Sequence, residues 1–287
     1  MESKCWQVIF KQDSSSEAFD EFLDDFFDVT AINYLDDGGV EYVGYANIGG
    51  FSEDKMLEAA KKWNLSLPPY QIIELKSENW LKDYVIKFDA FEIADFCIYG
   101  AHQLTPPTSD KIKLQIYAAT AFGSNHQTTR ACINAISDLY HQGFVADKIL
   151  DMGCGSGILS LCAAKLWQSA QIIAADIDEE AVIVTNSNAQ NNNLDSQIAA
   201  FAGDGYQNNQ VNKAAPYNLI LSNILANPLK EFAPQLFSHL SSQGYAVLSG
   251  FVDNQVDEVI SAHEQNGLKL VKLYEIDNWR AALMQKE

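Results

Sequence analysis

Residues 148–159, KILDMGCGSGIL, constrain the fold of this chain more than any other stretch. An apolar strand runs into Asp151, glycines at 153, 155 and 157 line a tight turn, and a helix begins at once. Around this unit, apolar β-branched runs alternate with helix-period runs: QTTRACINAISDLY, KILDM, ILSLCAAKLW, QIIAAD, EEAVIVTNSNAQNN, YNLILSN, PLKEFAPQLFSHL, YAVLSG, DNQVDEVISAHEQ and LKLVKLYEI. Repeated strand–helix pairing of this kind predicts a mostly parallel sheet covered on both faces, an α/β architecture. At 287 residues the chain is long enough for about two domains.

Glycines at the end of a strand let a ligand approach the backbone closely. The spacing here is GxGxG. It is neither the GxGxxG of dinucleotide sites nor a phosphate loop, which needs GK[ST]. Cys154 stands where a nucleophile elbow needs its first glycine relative to Ser156, so hydrolase chemistry is unsupported. The next strand, QIIAAD, ends at Asp176, where a carboxylate can accept both hydroxyls of a ribose. Asp178 is placed to cap the helix that follows. Asp204, in GDG after the strand-like QIAAF, has the position to accept from an adenine amine, although a turn aspartate explains it equally well. A glycine turn with a ribose acid and no pyrophosphate fingerprint points to an adenosyl ligand such as S-adenosyl-L-methionine. In YNLILSNILANPL the strand ends at Asn223, at the sheet's carboxyl edge, where its amide offers a donor and an acceptor to an incoming amine or to the cofactor. In TAFGSNHQTTR, His126 or Gln127 opens a helix whose first amides and hydroxyls, Thr128 and Thr129, suit a carboxylate. His126 reads as a structural group rather than a base. The other histidines, at 102, 141, 239 and 263, show no metal spacing, and no metal site is expected.

Residues 1–76 differ in pattern. CWQVIF reads as a strand; Ser14–Ser16 offer a cap for AFDEFLDDFF; AINYL and VEYVGYA flank a hairpin signal at Asp36-Asp37-Gly38-Gly39; Ser52 caps EDKMLEAAKKW; YQIIEL closes the unit. Strand, helix, strand, strand, helix, strand is the split βαβ, ferredoxin-like order. FEIADFCIYGAH and KIKLQIYAAT read as strands around Pro106-Pro107, and Asn186–Asn193 as a polar helix end. The whole chain carries 19 basic and 38 acidic residues, net −19 with a pI near 4.5. Residues 1–76 hold 15 acids against 6 bases, net −9, about half the excess. Such a field repels nucleic-acid phosphates and attracts basic partners, besides keeping the chain soluble. Five cysteines, an odd number with no CxxC pair, argue against a disulfide framework and a structural zinc site, and for a reducing, cytoplasmic setting. No apolar run approaches the ~18 residues of a membrane span, and MESKCWQVIFKQ lacks signal-peptide character.

AFGSNHQTT, LDMGCGSGIL, ADIDEEAV, SNILANPL and LSGFVDNQ together resemble the PrmA family, the methyltransferases of large-subunit ribosomal protein eleven. ENWLKDY resembles that family's linker, and IYGAH its alphaproteobacterial branch. NILANPL beside GCGSGIL is the specific part; GCGSG alone is shared by many methyltransferases. The resemblance implies a ferredoxin-like recognition domain (residues 1–77), a linker (78–92) and a Rossmann-like, seven-stranded methyltransferase domain (93–287). It implies an enzyme that methylates lysine and α-amino groups of that basic ribosomal protein, with S-adenosyl-L-methionine as methyl donor and S-adenosyl-L-homocysteine as product. Cofactor contacts carry over onto Thr129, Gly153, Asp176 and Asn223, and Asp151, Gly155, Phe122 and Asp204 complete the candidate set. Asn223 is the candidate catalytic residue. One departure stands out: Gly123-Ser124-Asn125-His126-Gln127-Thr128-Thr129 is one residue shorter than the family's Gly-Thr-Gly-x-His-x-Thr-Thr and lacks its second glycine. In the family that loop closes over the cofactor. Two readings of other classes remain open: a nucleic-acid amino-group methyltransferase, whose asparagine is usually followed by Pro-Pro and an aromatic rather than by Ile224-Leu225-Ala226, and a non-catalytic S-adenosylmethionine-binding module.

Overall fold

The computed structural model describes residues 5–13, 16–27, 29–34, 39–47, 51–75, 88–103, 105–117 and 126–287. The chain divides into two compact units, Met1–Asp83 and Tyr84–Glu287.

In the first unit, β1 (Cys5–Gln12), α1 (Glu17–Phe26), β2 (Val29–Tyr34), β3 (Val40–Asn47), α2 (Glu53–Lys62) and β4 (Tyr70–Leu75) follow in that order. The strands form one antiparallel sheet, ordered β2-β3-β1-β4. Alternate residues Val8 and Phe10 of β1 and Val40 and Tyr42 of β3 face one core with Phe19, Phe22 and Leu23 of α1 and Met56 and Ala60 of α2. The period of two in the strands and the i, i+3, i+4 spacing in the helices bring these side chains to one side of the sheet. Each large apolar side chain so buried contributes about 1.5–3 kcal/mol. Ser52 caps α2 by accepting from the Lys55 N–H at 3.3 Å. At α1 the expected serine cap takes another form: Ser16 makes no side-chain cap bond, and its N–H donates to the Tyr42 hydroxyl at 3.0 Å instead. Ser14, Ser15 and the hairpin residues Asp36-Asp37-Gly38 lie outside the described residues.

The second unit opens with a three-stranded sheet of β5 (Phe91–Ile93), β6 (Phe96–Gly100) and β7 (Ile112–Ile116). FEIADFCIYG is thus a hairpin rather than one strand, with Ala94 at φ +46° in its turn. β5 begins within the segment read as a connector, of which residues 78–87 lie outside the described residues. The main sheet contains β8 (Lys148–Met152), β9 (Gln171–Asp176), β10 (Ile198–Ala202), β11 (Tyr217–Asn223), β12 (Leu240–Val252), β13 (Leu268–Ile276) and β14 (Trp279–Lys286). Its order is β10-β9-β8-β11-β12-β14-β13, parallel through β12, with β14 antiparallel to both neighbours. The terminal strand WRAALMQK had no counterpart among the strands read from the sequence.

Helices α3 (Gln127–His141), α4 (Ile158–Leu166) and α5 (Glu179–Asn191) cover one face; α6 (Asn209–Ala214), α7 (Ala226–Glu231), α8 (Ala233–His239) and α9 (Val256–Glu264) cover the other. The apolar strands alternate between the two cores: Leu219 and Leu221 pack with α3 and α4, and Ile220 between them packs with Leu229, Leu236 and Val259. PLKEFAPQLFSHL is two helices, because Pro234 lacks the N–H that would continue α7 and sits in the first turn of α8. β9 and β10 lie to one side of β8, and β11 lies to the other. The strand order therefore reverses at β8, and the ligand-binding crevice of such sheets lies beyond the carboxyl ends of the strands flanking that point, here β8 and β11. Among the described residues no helix is long and apolar enough to cross a membrane.

Candidate active site

The glycine turn is tied to the neighbouring strand as soon as it leaves β8. The N–H groups of Gly153 and Cys154 both donate to the carbonyl of Ala175, at 2.7 and 3.1 Å. Gly153 has φ +74°, and a Cβ there would lie 2.2 Å from Ile224 Cγ2. Gly155 has φ +55°, and nothing lies within 4 Å of where its Cβ would be. The first glycine is required by close packing; the second presents bare backbone to open space, as a cofactor cradle requires. Cys154 is buried, which pushes its thiol up and away from nucleophilic chemistry.

Asp176 stands at the end of β9, where the sequence placed the ribose acid. Its Oδ2 accepts from the Gly155 N–H at 2.9 Å and its Oδ1 from the Asp178 N–H at 3.1 Å. A carboxylate has about four acceptor positions, so two oriented lone pairs remain, one per oxygen, matching a ribose diol. Asp178 caps α5 as expected, its Oδ1 accepting from the Glu180 N–H at 2.8 Å. Between them, Ile177 is 77% exposed and offers apolar surface beside the Asp176 carboxylate. No periodic signal marks it, because a single exposed isoleucine in a turn belongs to no face.

Asp204 opens a short 3-10 turn (Gly205–Gln207); it is exposed and accepts from Gln207 Nε2 at 3.0 Å. The Gly203 N–H donates to the Asp176 carbonyl at 2.9 Å, which sets the two acids at adjacent strand ends. Asp151 points inward. It is buried, and its Oδ2 accepts from the Ser160 N–H at 3.1 Å and hydroxyl at 2.6 Å, bracing the first turn of α4. Burial raises its carboxyl to about 6, against the pull of the Ser160 bonds. Phe122 and the Gly123–Asn125 loop lie outside the described residues.

On the other side of the crevice, β11 ends at Asn223, whose Nδ2 donates to Thr129 Oγ1 at 3.2 Å. Thr129 lies buried in the first turn of α3. His126 is the cap of that helix: Nδ1 accepts from the Thr128 N–H at 3.3 Å and lies 2.9 Å from Thr128 Oγ1, and the Trp279 ring meets its ring edge-on at 4.7 Å. Nδ1 is thereby committed to the helix, in keeping with a structural histidine. Ile224, next to Asn223, is held on two sides. Its side chain meets Gly153, and its carbonyl would lie 1.9 Å from a Cβ on Gly250, which has φ +100°. Thus Gly155 bonds Asp176 and Asn223 bonds Thr129, Gly153 packs against Ile224 next to Asn223, Asp204 lies exposed at the adjacent strand end, and Asp151 is buried.

The family model described as "Ribosomal protein L11 methyltransferase (PrmA)" matches residues 40–287. Among curated relatives, a ribosomal protein L11 methyltransferase of Bradyrhizobium diazoefficiens is 30% identical over 213 residues, 74% of this chain and 72% of the relative. One of Brucella suis is 31% identical over 234 residues, 80% and 81% of the two chains. A crystal structure of a ribosomal protein L11 methylase from Lactobacillus delbrueckii subsp. bulgaricus superposes with a TM-score of 0.60 at 25% identity, covering 70% of this chain and 99% of that one.

Proposed function

This chain belongs to the ribosomal protein L11 methyltransferase (PrmA) family, and from that premise we propose that it methylates lysine ε-amino and α-amino groups of ribosomal protein L11. S-adenosyl-L-methionine, when bound, supplies an electrophilic methyl group on a sulfonium, leaving as S-adenosyl-L-homocysteine without help from a protein acid. Asp176 holds the ribose, the bare backbone at Gly155 admits the nucleoside, and Thr129 with the α3 terminus takes the amino-acid end.

The reacting amine must be neutral. For a lysine of pKa ~10.4, deprotonation at pH 7 costs roughly 4.6 kcal/mol, and for an α-amine of pKa ~7.7 about 1 kcal/mol. Exclusion of water beside a positive sulfonium lowers both costs, so positioning rather than a dedicated base supplies most of the rate. Asn223 is the positioning group that touches the amine. Its Nδ2 bond to Thr129 fixes the amide plane, and Oδ1 accepts an amine N–H so that the nitrogen lone pair faces the methyl. We further propose residues 1–77 as the ferredoxin-like recognition domain, whose net −9 over residues 1–76 docks a basic protein, and a cytoplasmic site of action.

The observation that carries this reading is the Asn223–Thr129 pair held beside the glycine turn at the point where the strand order reverses. Labelled S-adenosyl-L-methionine incubated with purified L11 and, separately, with ribosomal RNA tests it. Label in L11 is expected; label in RNA alone, or cofactor binding without turnover, overturns it.

A further inference from the structure

α5 carries asparagines at positions where helix propensity disfavours them, because a short amide side chain competes with the helix for backbone partners. Here the amides bond outward, to the edges of other elements. Among the described residues β7 pairs with β6 on one side only, and the backbone groups of Gln115, and of Tyr117 just past the strand, face the open side. Asn192, which caps the carboxyl end of α5, accepts at Oδ1 from the Gln115 N–H at 3.0 Å, and its Nδ2 donates to the Gln115 carbonyl at 2.7 Å and to the Asn188 carbonyl at 2.8 Å. Asn188 Oδ1 accepts from the Tyr117 N–H at 2.7 Å, and its Nδ2 donates to the Tyr117 carbonyl at 3.0 Å. One helical turn (about 5.4 Å) nearly matches two strand residues (about 6.6 Å), so two amides four apart serve as a substitute strand. Asn186 treats the edge strand β10 in the same way, pairing with the N–H and carbonyl of Ala200 at 3.1 and 3.4 Å.

Asn188 does one thing more. It is fully buried, and its Nδ2 also donates to the Ser156 carbonyl at 2.8 Å, inside the glycine turn. Thr185, one turn earlier, donates its hydroxyl to the Gly155 carbonyl at 3.0 Å. A single side chain therefore bonds both the glycine turn and the residue that follows β7.

We propose that Asn188 is a positioning residue for the methyl donor, tying the glycine turn to the end of β7 so that the backbone of residues 155–157 is held where the cofactor lies. The inference rests on the cofactor placement proposed above. It predicts coupling: occupancy of the glycine turn steadies the Tyr117 backbone.

The test uses the full-length protein and S-adenosyl-L-homocysteine as probe. Asn188→Ala is expected to weaken binding of the probe by about tenfold or more, the scale of one lost buried hydrogen bond, and to raise KM for the methyl donor while kcat changes less. Asn192→Ala removes the same kind of amide from β7 without touching the glycine turn, so it is expected to lower Tm but leave probe affinity within about threefold. Equal losses in both variants, or unchanged affinity in Asn188→Ala, overturn the proposal. If Asn188→Ala does not fold, hydrogen exchange on the wild-type chain decides. Probe binding is expected to slow exchange of the Tyr117 amide along with those of 153–157; protection of the turn alone overturns it. Asp176→Ala run in parallel separates the two levels. If Asp176→Ala weakens binding and Asn188→Ala does not, the positioning role alone fails. If neither does, the cofactor placement fails and this inference with it.

Discussion

Replacing Gly153 by alanine should damage turnover more than cofactor binding, and the structure says by how much. A Cβ at φ +74° occupies the left-handed region, which costs about 1–2 kcal/mol for an L-residue. The same Cβ would lie 2.2 Å from Ile224 Cγ2, about 1.2 Å short of an ordinary 3.4 Å contact. Ile224 cannot yield easily. Its β-branched side chain has little χ1 freedom, and its carbonyl abuts Gly250. The displacement passes instead to Asn223, the next residue and the proposed amine contact. A misplacement of about 1 Å at a reacting group costs roughly a hundredfold. We therefore expect Gly153→Ala to lower kcat on L11 by roughly that factor at saturating S-adenosyl-L-methionine. Gly155→Ala is the matched control: it carries similar strain at φ +55°, but its Cβ enters open space and touches neither Ile224 nor Asn223. Its effect should fall on cofactor affinity, measured by calorimetry, with kcat at saturation largely kept. A Gly153→Ala enzyme with wild-type kcat at saturation would refute the idea that the glycine turn and Ile224 together place Asn223.

Three further outcomes are expected. Asp176→Ala should weaken cofactor binding by roughly 1–3 kcal/mol in calorimetry, the scale of losing charged hydrogen bonds; unchanged affinity would remove Asp176 from the ribose site. Asp151 gives a pH dependence of definite sign. Its carboxyl is raised from 3.8 to about 6 by burial, so between those values the folded chain holds a proton that the unfolded chain has lost, and stability falls as pH rises. From pH 5 to 7.5 this one group should remove on the order of 1 kcal/mol, a contribution that Asp151→Asn removes; denaturant unfolding of the two chains across this range compares their slopes, and parallel slopes would contradict the assignment. Deletion of residues 1–76 should keep S-adenosyl-L-homocysteine binding and lose methylation of intact L11; normal methylation by the truncated enzyme would end the docking role.

Much of the local geometry around the candidate site could be read from the sequence because its logic is local. A strand ending in Asp151, glycines two apart and an apolar helix start encode the turn within a dozen residues. Asp178 caps α5 by bonding an N–H two residues on, and the Leu219-Ile220-Leu221 alternation already assigns side chains to two cores. Other features follow only from which strands become neighbours. Asn223 and Thr129 are 94 residues apart, and Asn188 and Tyr117 are 71 apart. Asp151 and Asp176 look alike as strand-end acids, yet packing buries the first against Ser160 and leaves each oxygen of the second with a single backbone partner. The run Asn186–Asn193 looks like a polar helix end until β7 and β10 present unpaired edges to it. The place of β14, antiparallel between β12 and β13, runs against the parallel pattern that precedes it and has no local signal in the sequence. The amino-acid order determined caps, turns and the apolar periods, since these depend on groups within a few residues of one another. The tertiary structure decided which acid is buried and which keeps open acceptor positions at a strand end, which amide is pinned to α3, and which asparagines bond strand edges, since those depend on burial and on backbone partners supplied by distant segments.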